Sequence, residues 1–240
     1  MASTEQPAYR RVVLKLSGQS MCDEGGRGID PVAIGRIAEQ VKQAADTGVQ
    51  LAVVIGGGNI CRGNELSRAG LLRAVCDHMG MLGTVINALA LQDSLEKLGF
   101  EVRVQTAITM ADVAEPYIRR RCIAHLEHHK ICILAAGTGN PFFSTDTAAV
   151  LRAREIRADI LLKATHVDGV YEDDPRTNPG ARLFDKLTAR EALDRNLRVM
   201  DLTALTMAIE GDLPILVFNA STPGNIRNAV LGHEVGTLVS

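Results

Sequence analysis

The sequence predicts an α/β fold in which helices cover both faces of a mainly parallel β-sheet. Six short runs of aliphatic and β-branched residues, at 12–16, 51–55, 102–105, 131–135, 160–163 and 215–218, alternate with segments of helical periodicity. This alternation is the signature of βαβ units. Most of the runs are apolar on both faces, which is expected of parallel strands covered by helices on each side.

The segments between these runs carry helix start signals. Apolar residues recur at helical spacing between 34 and 45, directly after the cap and first-turn proline Asp30-Pro31. Thr188 and Glu191 have the spacing of a capping box, and Thr222-Pro223 repeats the cap-plus-proline start. No internal repeat or linker interrupts the pattern. We therefore expect one domain spanning 1–240, with two lobes that meet near residue 150.

Composition and charge narrow the class of protein. The 240 residues are 46% hydrophobic and 22% charged, which is ordinary for a soluble globular protein. No apolar run approaches the roughly 18 to 20 residues of a membrane span, and residues 1–11 lack the apolar stretch of a signal peptide, so we expect a cytoplasmic protein without membrane contact. The net charge of −2 does not indicate a basic surface that would bind nucleic acid. The five cysteines include no C-x-x-C pair, which indicates reduced thiols.

Two polar turns near the start of the chain are candidate anion sites. Lys15 ends an apolar strand, where its ammonium group is costly unless it meets an anion, and Ser17-Gly18 then lets the backbone turn tightly. Snorkelling of an edge lysine is the equally weighted alternative. The second turn, GGGNICRG at 56–63, allows backbone amides to approach a phosphate, and Arg62 adds a two-pronged donor.

Neither familiar nucleotide-binding motif fits the second turn. A Walker A loop requires Lys and Ser or Thr after Gly63, but Asn64 and Glu65 stand there. A dinucleotide fingerprint that begins at Gly56 requires glycine or alanine at 61, where Cys61 stands. The turn is therefore interpreted as an anion site of another kind.

Two further segments follow strands later in the chain. The run AGTGNPFFSTD at 136–146 offers glycines, hydroxyls and a helix start at Ser144 or Thr145, with Asp146 in the first turn. The run KATHVDGVYEDDP at 163–175 offers a second strand-end lysine, an aromatic and several acids, with a plain surface hairpin as the alternative. Phosphoryl transfer requires that two phosphorylated ligands be positioned against each other. The groups that this needs are all present: two lysines, two glycine-rich turns, an arginine and an aspartate at a helix start.

These motifs, in this order, resemble those of the bacterial UMP kinases of the amino acid kinase superfamily. The resemblance covers the chain from about residue 10 to 239 and is carried by KLSG at 15–18, GGGN and RG within 56–63, DHMGM at 77–81, GTGNPFF and TD within 137–146, KAT and VDGVY within 163–171, and VMD at 199–201. It implies a three-layer αβα sandwich around a central, mainly parallel sheet, the amino acid kinase fold, and transfer of the ATP γ-phosphoryl group to UMP.

The resemblance also implies roles for individual residues. The ATP phosphates would be held by Lys15, Ser17 and Gly18, with Gly58 and Arg62 close to the reacting groups, and the adenosine by Thr165, Tyr171 and Asp174. UMP would be held by Gly57, Arg62, Asp77, Thr138, Gly139, Asn140 and Thr145, with Asp77 on the ribose hydroxyls. Asp146 and Asp201 would position Lys15, Lys163 and a Mg²⁺ ion that arrives with ATP. Family members form hexamers and respond to GTP and UTP, so a homo-oligomer and these effectors are expected.

Two alternatives remain open. A carboxylate kinase of the same superfamily would share the ATP residues without needing Arg62, Asp77 and 138–145 to recognise a nucleotide. A storage or regulatory protein on this fold that has lost catalysis would bind ATP without transferring a phosphoryl group. One cysteine and three histidines recur at roughly helical spacing, namely Cys122, His125, His128 and His129. We interpret them as one face of an exposed helix rather than as a metal site. The apolar stripe that begins at Met79 is interpreted as a buried or subunit-facing helix. The glycine-rich segment 21–28 is left without an assignment.

Overall fold

The computed structural model of the chain describes residues 5–23, 25–175, 177–197 and 199–240. The first four residues of the N-terminal stretch and residue 24 of the segment 21–28 lie outside the described residues.

One nine-stranded sheet forms the centre of the molecule. Its strands are β1 (Arg11–Leu16), β2 (Gln50–Ile55), β3 (Val102–Thr106), β4 (Glu115–Pro116), β5 (Ile131–Ala135), β6 (Ile160–Thr165), β7 (Lys186–Leu187), β8 (Ile215–Asn219) and β9 (Thr237–Val239). Their order is β4-β3-β5-β2-β1-β6-β8-β9-β7, and every pair is parallel except β8 with β9. All six predicted strands are confirmed. The sequence did not reveal β4, β7 and β9, which have only two or three residues and so show no periodicity.

Eight helices connect the strands. They are α1 (Pro31–Ala45), α2 (Gly63–Arg68), α3 (Arg73–Lys97), α4 (Arg119–Glu127), α5 (Thr145–Ile156), α6 (Ala189–Asp194), α7 (Leu202–Glu210) and α8 (Asn225–Val230), with a short 3-10 helix at Gly18–Met21. These counts hold for the residues that the structure describes.

The first residues of the helices show which of the predicted helix caps are present. Asp30 caps α1 by accepting from the Val32 amide, and Thr188 caps α6 by accepting from the Glu191 amide. The prediction that Thr222-Pro223 starts a helix is wrong. Helix α8 begins two residues later, after Gly224 in the left-handed region (φ 84°), and only the Thr222 carbonyl is used, by the Asn225 amide.

The helices form two layers, one on each face of the sheet. On β1, Val12, Leu14 and Leu16 belong to an apolar core shared with α1, α3 and α8, whereas Val13 belongs to a second core shared with α4, α5 and α7. This division follows from the two-residue period of a strand. The predicted three-layer αβα sandwich is confirmed, and the same alternation turns Lys15 towards α5.

Helix α3 is the longest element of the chain. Its 25 residues include an 18-residue window of mean hydropathy 1.4, so by length and composition it could cross a membrane, and among the described residues it is the only such helix. Its inner face, with Leu91 and Leu95, packs into the core of the sheet. We therefore interpret α3 as a core helix.

The interpretation of the Cys122 and histidine set as one exposed face is only partly right. Cys122 is fully buried between α4 and the sheet, and His125 contacts Glu115 at 3.0 Å, whereas His128 and His129 are exposed. No group of three metal-ligating side chains forms within the described ranges. Four of the five cysteines are buried, and Cys61 is half-buried.

Candidate functional site

The candidate site lies at the carboxyl ends of the central strands. Strand β1 has β2 on one side and β6 on the other, so the chain crosses over in opposite directions from this point. In open α/β sheets a ligand crevice forms at such a topological switch point. The turns after β1, β2, β5 and β6 all open onto this edge, because these strands are parallel.

Two lysines lie side by side at this edge. Lys15 of β1 is the register partner of Lys163 of β6, and their side chains are only 14% and 12% exposed. Like charges directly opposite each other in a sheet are destabilising unless a counter-charge lies between them.

Asp146, in the first turn of α5, supplies that counter-charge. Its Oδ2 lies 2.7 Å from Lys163 Nζ, and its Oδ1 lies 2.8 Å from Lys15 Nζ. The Lys15 contact is ionic only, since Oδ1 lacks a hydrogen bond of good geometry. Lys163 Nζ also donates to the carbonyl of Val199. One carboxylate therefore fixes both ammonium groups at the start of α5.

The electrostatic environment shifts the pKa of Asp146 and of Lys163. Burial of Asp146 would raise its pKa, but the charges of Lys15 and Lys163 outweigh burial and hold that pKa below its ordinary value. Burial lowers the pKa of Lys163 and the Lys15 charge adds to this, against the attraction of Asp146. Lys163 is thus a lysine that loses its proton more easily than an exposed one.

The start of α5 is held by a second carboxylate, Asp201. Ser144 caps α5 by accepting from the amides of Asp146 and Thr147. The hydroxyls of Ser144 and Thr147 both donate to Asp201, which in turn caps α7 through the Ala204 amide at 3.0 Å. Within the described ranges no hydrogen bond or ion pair joins Asp201 to either lysine. Its charge nevertheless opposes the lowering of the Lys163 pKa, so Asp201 acts on the cluster through its charge as well as through the position of α5.

The glycine turns after β1 and β2 touch each other. A Cβ atom on Gly18 would lie 2.7 Å from the Gly56 carbonyl oxygen, and one on Gly57 would lie 2.5 Å from the Gly80 carbonyl oxygen of α3. Contacts this short leave no room for a side chain. Ser17 Oγ accepts weakly from the Gln19 amide at 3.3 Å and starts the short 3-10 helix.

Arg62 sits between two residues, Cys61 and Gly63, that line a cleft. Its Nε donates to the Gly58 carbonyl at 3.3 Å, and its Nη1 pairs with Glu65 at 3.0 Å. The other oxygen of Glu65 pairs with Arg27. The Arg62 hydrogen bond, helped by the Arg27 charge, lowers the pKa of Glu65. Arg62 is thus placed beside the glycine turn with its Nη2 donors uncommitted to Glu65 or Gly58.

That cleft, of about 270 Å³, lies between α3 and the turn that follows β5. It brings together many of the residues assigned to the acceptor: Gly57, Asp77, Thr138 and Thr145, together with Gly58. Gly139 and Asn140 belong to the same turn, in which the Asn140 amide binds Thr138 Oγ1 at 3.2 Å and Gly139 packs on Ala107 with φ 80°.

Asp77 is more heavily engaged than a free ribose ligand would be. Arg73 Nε lies 2.8 and 3.0 Å from its two oxygens, and the Phe142 amide donates to Oδ2 at 2.8 Å. Phe142 itself has φ 72°, a left-handed conformation that costs a non-glycine residue free energy. Asp77 therefore latches the turn after β5 onto α3.

A second cleft, of about 320 Å³, is lined by the segment that follows β6 and by residues 195–197. Tyr171 and Asp174 line it, and so do Val167 and Arg195. Thr165 lies behind it, donating to the Val167 carbonyl at 2.7 Å. Burial and the nearby Asp168 raise the pKa of Tyr171. The segment therefore forms a wall of this cleft, and Tyr171 also makes an antiparallel bridge with Leu183.

Comparison with known proteins identifies the family of the chain. The family model described as the amino acid kinase family matches residues 10–219. The chain belongs to the amino acid kinase family. The predicted resemblance to this superfamily is thereby confirmed, and so is the fold that it implied.

Solved structures of this kinase family resemble the chain over nearly its whole length. A UMP kinase from Bacillus anthracis is 41% identical, with a TM-score of 0.94 over 97% of this chain and 96% of that one. A UMP kinase from Ureaplasma parvum is 35% identical, with a TM-score of 0.90 over 96% and 98%. A uridylate kinase from Archaeoglobus fulgidus is 27% identical, with a TM-score of 0.74 over 95% and 99%.

Sequence reasoning missed several residues of this candidate site. Arg73 orients Asp77 without belonging to any motif, although its i,i+4 spacing to Asp77 on one helix was a usable signal. Arg195, which lines the second cleft and lies over the Phe184 ring at 4.9 Å, gave no local signal. Thr147 could not be assigned because its partner Asp201 comes from a distant helix.

Proposed function

We propose that the chain is a UMP kinase, which transfers the γ-phosphoryl group of Mg-ATP to UMP and releases UDP and ADP. The observation that carries the proposal is the cluster of Lys15, Asp146 and Lys163 at the strand switch point, next to the cleft beside α3. The likeness to UMP kinases at up to 41% identity supports the choice of acceptor.

The chemistry requires cations more than a base. A UMP phosphate oxygen attacks the γ-phosphorus in line with the bond to ADP, and Lys15 and Lys163 stabilise the charge on the transferring group. A phosphate monoester is largely ionised near neutral pH, with a second pKa of about 6. The acceptor therefore brings its own nucleophile, and a general base is unnecessary.

The two clefts divide the substrates. UMP occupies the cleft beside α3, held by Gly57, Arg62, Asp77, Thr138, Gly139, Asn140 and Thr145. ATP occupies the other side, held by Lys15, Ser17, Gly18, Gly58, Arg62, Thr165, Tyr171 and Asp174. Because the start of α5 lines the first cleft and its Asp146 contacts both lysines, the division into two lobes near residue 150 fits a single domain with a shared catalytic centre.

Mg²⁺ fits this centre as a companion of ATP. Among the described residues, Asp146 is the carboxylate in contact with both lysines, one at each oxygen. It would orient the ion or its water shell from this position. When bound, the ion would neutralise charge on the phosphates of ATP.

We also propose that copies of the chain associate through α3. Its outer face exposes apolar residues at alternating spacings of three and four, namely Leu72, Val75, Met79, Leu82, Ile86 and Leu89. This is the spacing with which one helix packs along another, and a helix that repeats it can pair with its own copy. A hexamer, a cytoplasmic location and control by GTP and UTP are proposed from the resemblance.

Acceptor specificity tests the function. ADP formation is measured with Mg-ATP and, in parallel, UMP, CMP, dUMP, glutamate, acetylglutamate, aspartate or no acceptor. We expect turnover confined largely to UMP. Turnover with an amino acid would assign a carboxylate kinase instead, and ATP binding without any transfer would assign the non-catalytic alternative.

The oligomer has a separate test. Leu82→Glu places a charge in the α3 face and should lower the molecular mass measured by sedimentation equilibrium. Val32→Glu, at an apolar residue of α1 that is 68% exposed, is the matched control and should leave the mass unchanged. An unchanged mass for Leu82→Glu would contradict association through α3.

A further inference from the structure

Two asparagines form a reciprocal amide pair beneath the glycine turns. Asn59 Nδ2 donates to Asn87 Oδ1 at 2.9 Å, and Asn87 Nδ2 donates to Asn59 Oδ1 at 2.7 Å. Asn59 is 1% exposed and Asn87 is fully buried. Asn87 lies on α3, three helical turns from Asp77, so the pair joins α3 to the turn after β2.

The remaining donors of the pair hold backbone carbonyls of two other segments. Asn87 Nδ2 donates to the Gly56 carbonyl at 2.7 Å, and Asn59 Nδ2 donates to the Gly28 carbonyl at 2.7 Å. All four amide N–H groups are thus used. Gly18 packs on the same spot, since a Cβ atom there would lie 2.6 Å from Asn59 Oδ1 and 2.7 Å from the Gly56 oxygen.

Packing alone does not call for these side chains. Asparagine has a poorer helix propensity than leucine, and burying an amide is unfavourable unless each donor and acceptor is paired. Leucine has the same branching and needs no hydrogen-bond partner, although its side chain is larger. What the amides provide is direction, because each hydrogen bond fixes one backbone carbonyl in a defined place.

We propose that Asn87 is a positioning residue for phosphoryl transfer: through the pair with Asn59 it fixes the Gly56 carbonyl and so sets the relative position of the turns at 17–18 and 56–58. The inference rests on the proposed function, because those turns hold the phosphates in it. A displacement of reacting groups by about 1 Å can lower a rate ~10²-fold. The loss should therefore appear in kcat.

The test compares two substitutions of Asn87 with a control. Asn87→Leu removes both donors. Asn87→Asp keeps the shape but sets a carboxylate oxygen against the Gly56 and Asn59 oxygens, and burial and these acceptors raise the pKa of the introduced carboxyl. When protonated, it can donate one hydrogen to Gly56 again. The control is Gln50→Leu, which loses the buried bond from Arg11 Nε at the opposite end of β2.

The readouts are kcat and the melting temperature of each variant between about pH 6 and pH 9. We expect kcat of both Asn87 variants to fall about 10²-fold at the alkaline end. Only that of Asn87→Asp should recover as the pH falls. Gln50→Leu should lose stability while its kcat stays near that of the wild type. Wild-type kcat in folded Asn87 variants, or parallel pH profiles for the two, would overturn the inference.

Failure of the proposed function can be distinguished from failure of the inference about Asn87. If the wild type forms no ADP with UMP, the function is wrong, and the same variants are compared by calorimetric titration with Mg-ATP. The inference then predicts that both Asn87 variants bind Mg-ATP more weakly than Gln50→Leu does. Equal affinities would refute it without reference to any acceptor.

Discussion

Lys15 and Lys163 are register partners on neighbouring parallel strands, and their ammonium groups share the carboxylate of Asp146. Two positive charges and one negative charge leave the trio with an excess of one positive charge. Little water reaches these side chains, so the excess is poorly screened and favours an anionic ligand. The sheet register itself therefore builds the charge that a transferring phosphoryl group requires.

Replacing Lys15 tests whether that excess charge drives turnover. Lys15→Met keeps an unbranched side chain of similar length, and Lys163 continues to pair with Asp146, so the variant should fold. We expect kcat to fall by about 10²- to 10³-fold, the effect of losing one preorganised donor. Steady-state assays with UMP and circular dichroism measure the two quantities. Near-normal turnover in the folded variant would show that Lys15 has no catalytic role.

The pH dependence of kcat tests Lys163. Burial and the Lys15 charge lower the pKa of Lys163 from the ordinary value of 10.5. Above its lowered pKa the neutral amine no longer stabilises the transferring group, so kcat should decline on the alkaline side before pH 10.5. Lys163→Arg stays charged and should lose this decline, whatever its absolute rate. A decline at the same pH in both proteins would assign it to another group.

The same pKa shift has a consequence for stability. The folded state holds the Lys163 proton less tightly than the unfolded chain does, so this residue costs stability at neutral pH. That cost should diminish as the pH rises from the folded pKa towards 10.5.

The sequence predicted which side chains belong to the candidate site better than it predicted how they are arranged relative to one another. A lysine at the end of an apolar strand is costly without an anion, and this argument found Lys15 and Lys163 separately. Their pairing depends on which strands become neighbours, a long-range property that no local pattern contains. Asn87 lies in an apolar helix and carries no local signal, because its partner Asn59 is brought to it only by packing.

Substitution of Asp201 separates its capping role from its charge. Asp201 caps α7 and accepts from Thr147, so Asp201→Ala should lower the free energy of unfolding by about 1 to 2 kcal/mol. Asp201→Asn retains an oxygen that can cap and should lose much less. Urea denaturation measures both. Equal losses in the two variants would mean that the charge, not the cap, stabilises this junction.

The hydrogen bond from the Phe142 amide to Asp77 should affect the binding of the acceptor but not the binding of ATP. Asp77→Ala removes the acceptor for the Phe142 amide and releases a turn with a left-handed residue. We expect KM for UMP to rise about tenfold, the loss of about one charge-assisted hydrogen bond, with KM for ATP nearly unchanged. Asp93→Ala, which removes only an exposed ion pair with Lys97 on the same helix, is the control. A parallel rise in both KM values would contradict separate clefts.

Gly57 and Gly58 are adjacent, so alanine substitutions at these two positions can separate an effect on packing from an effect on ligand binding. A Cβ atom on Gly57 would lie 2.5 Å from the Gly80 oxygen and 2.9 Å from the Thr84 nitrogen, both backbone atoms of α3. At Gly58, apart from its neighbours in the chain, no atom of the described residues lies within 4 Å of the added carbon. Gly57→Ala should therefore lower the free energy of unfolding by about 1 to 3 kcal/mol, and Gly58→Ala should not.

The activity of Gly58→Ala then reports on ligands. If phosphates approach the backbone at Gly58, as the proposed site requires, the added methyl group occupies space that they need. We expect a raised KM for ATP in a protein with the wild-type melting temperature. Unchanged KM values would move the phosphates away from this turn. Equal stability losses in Gly57→Ala and Gly58→Ala would instead mean that the turn does not pack on α3 as closely as the Gly57 contacts require.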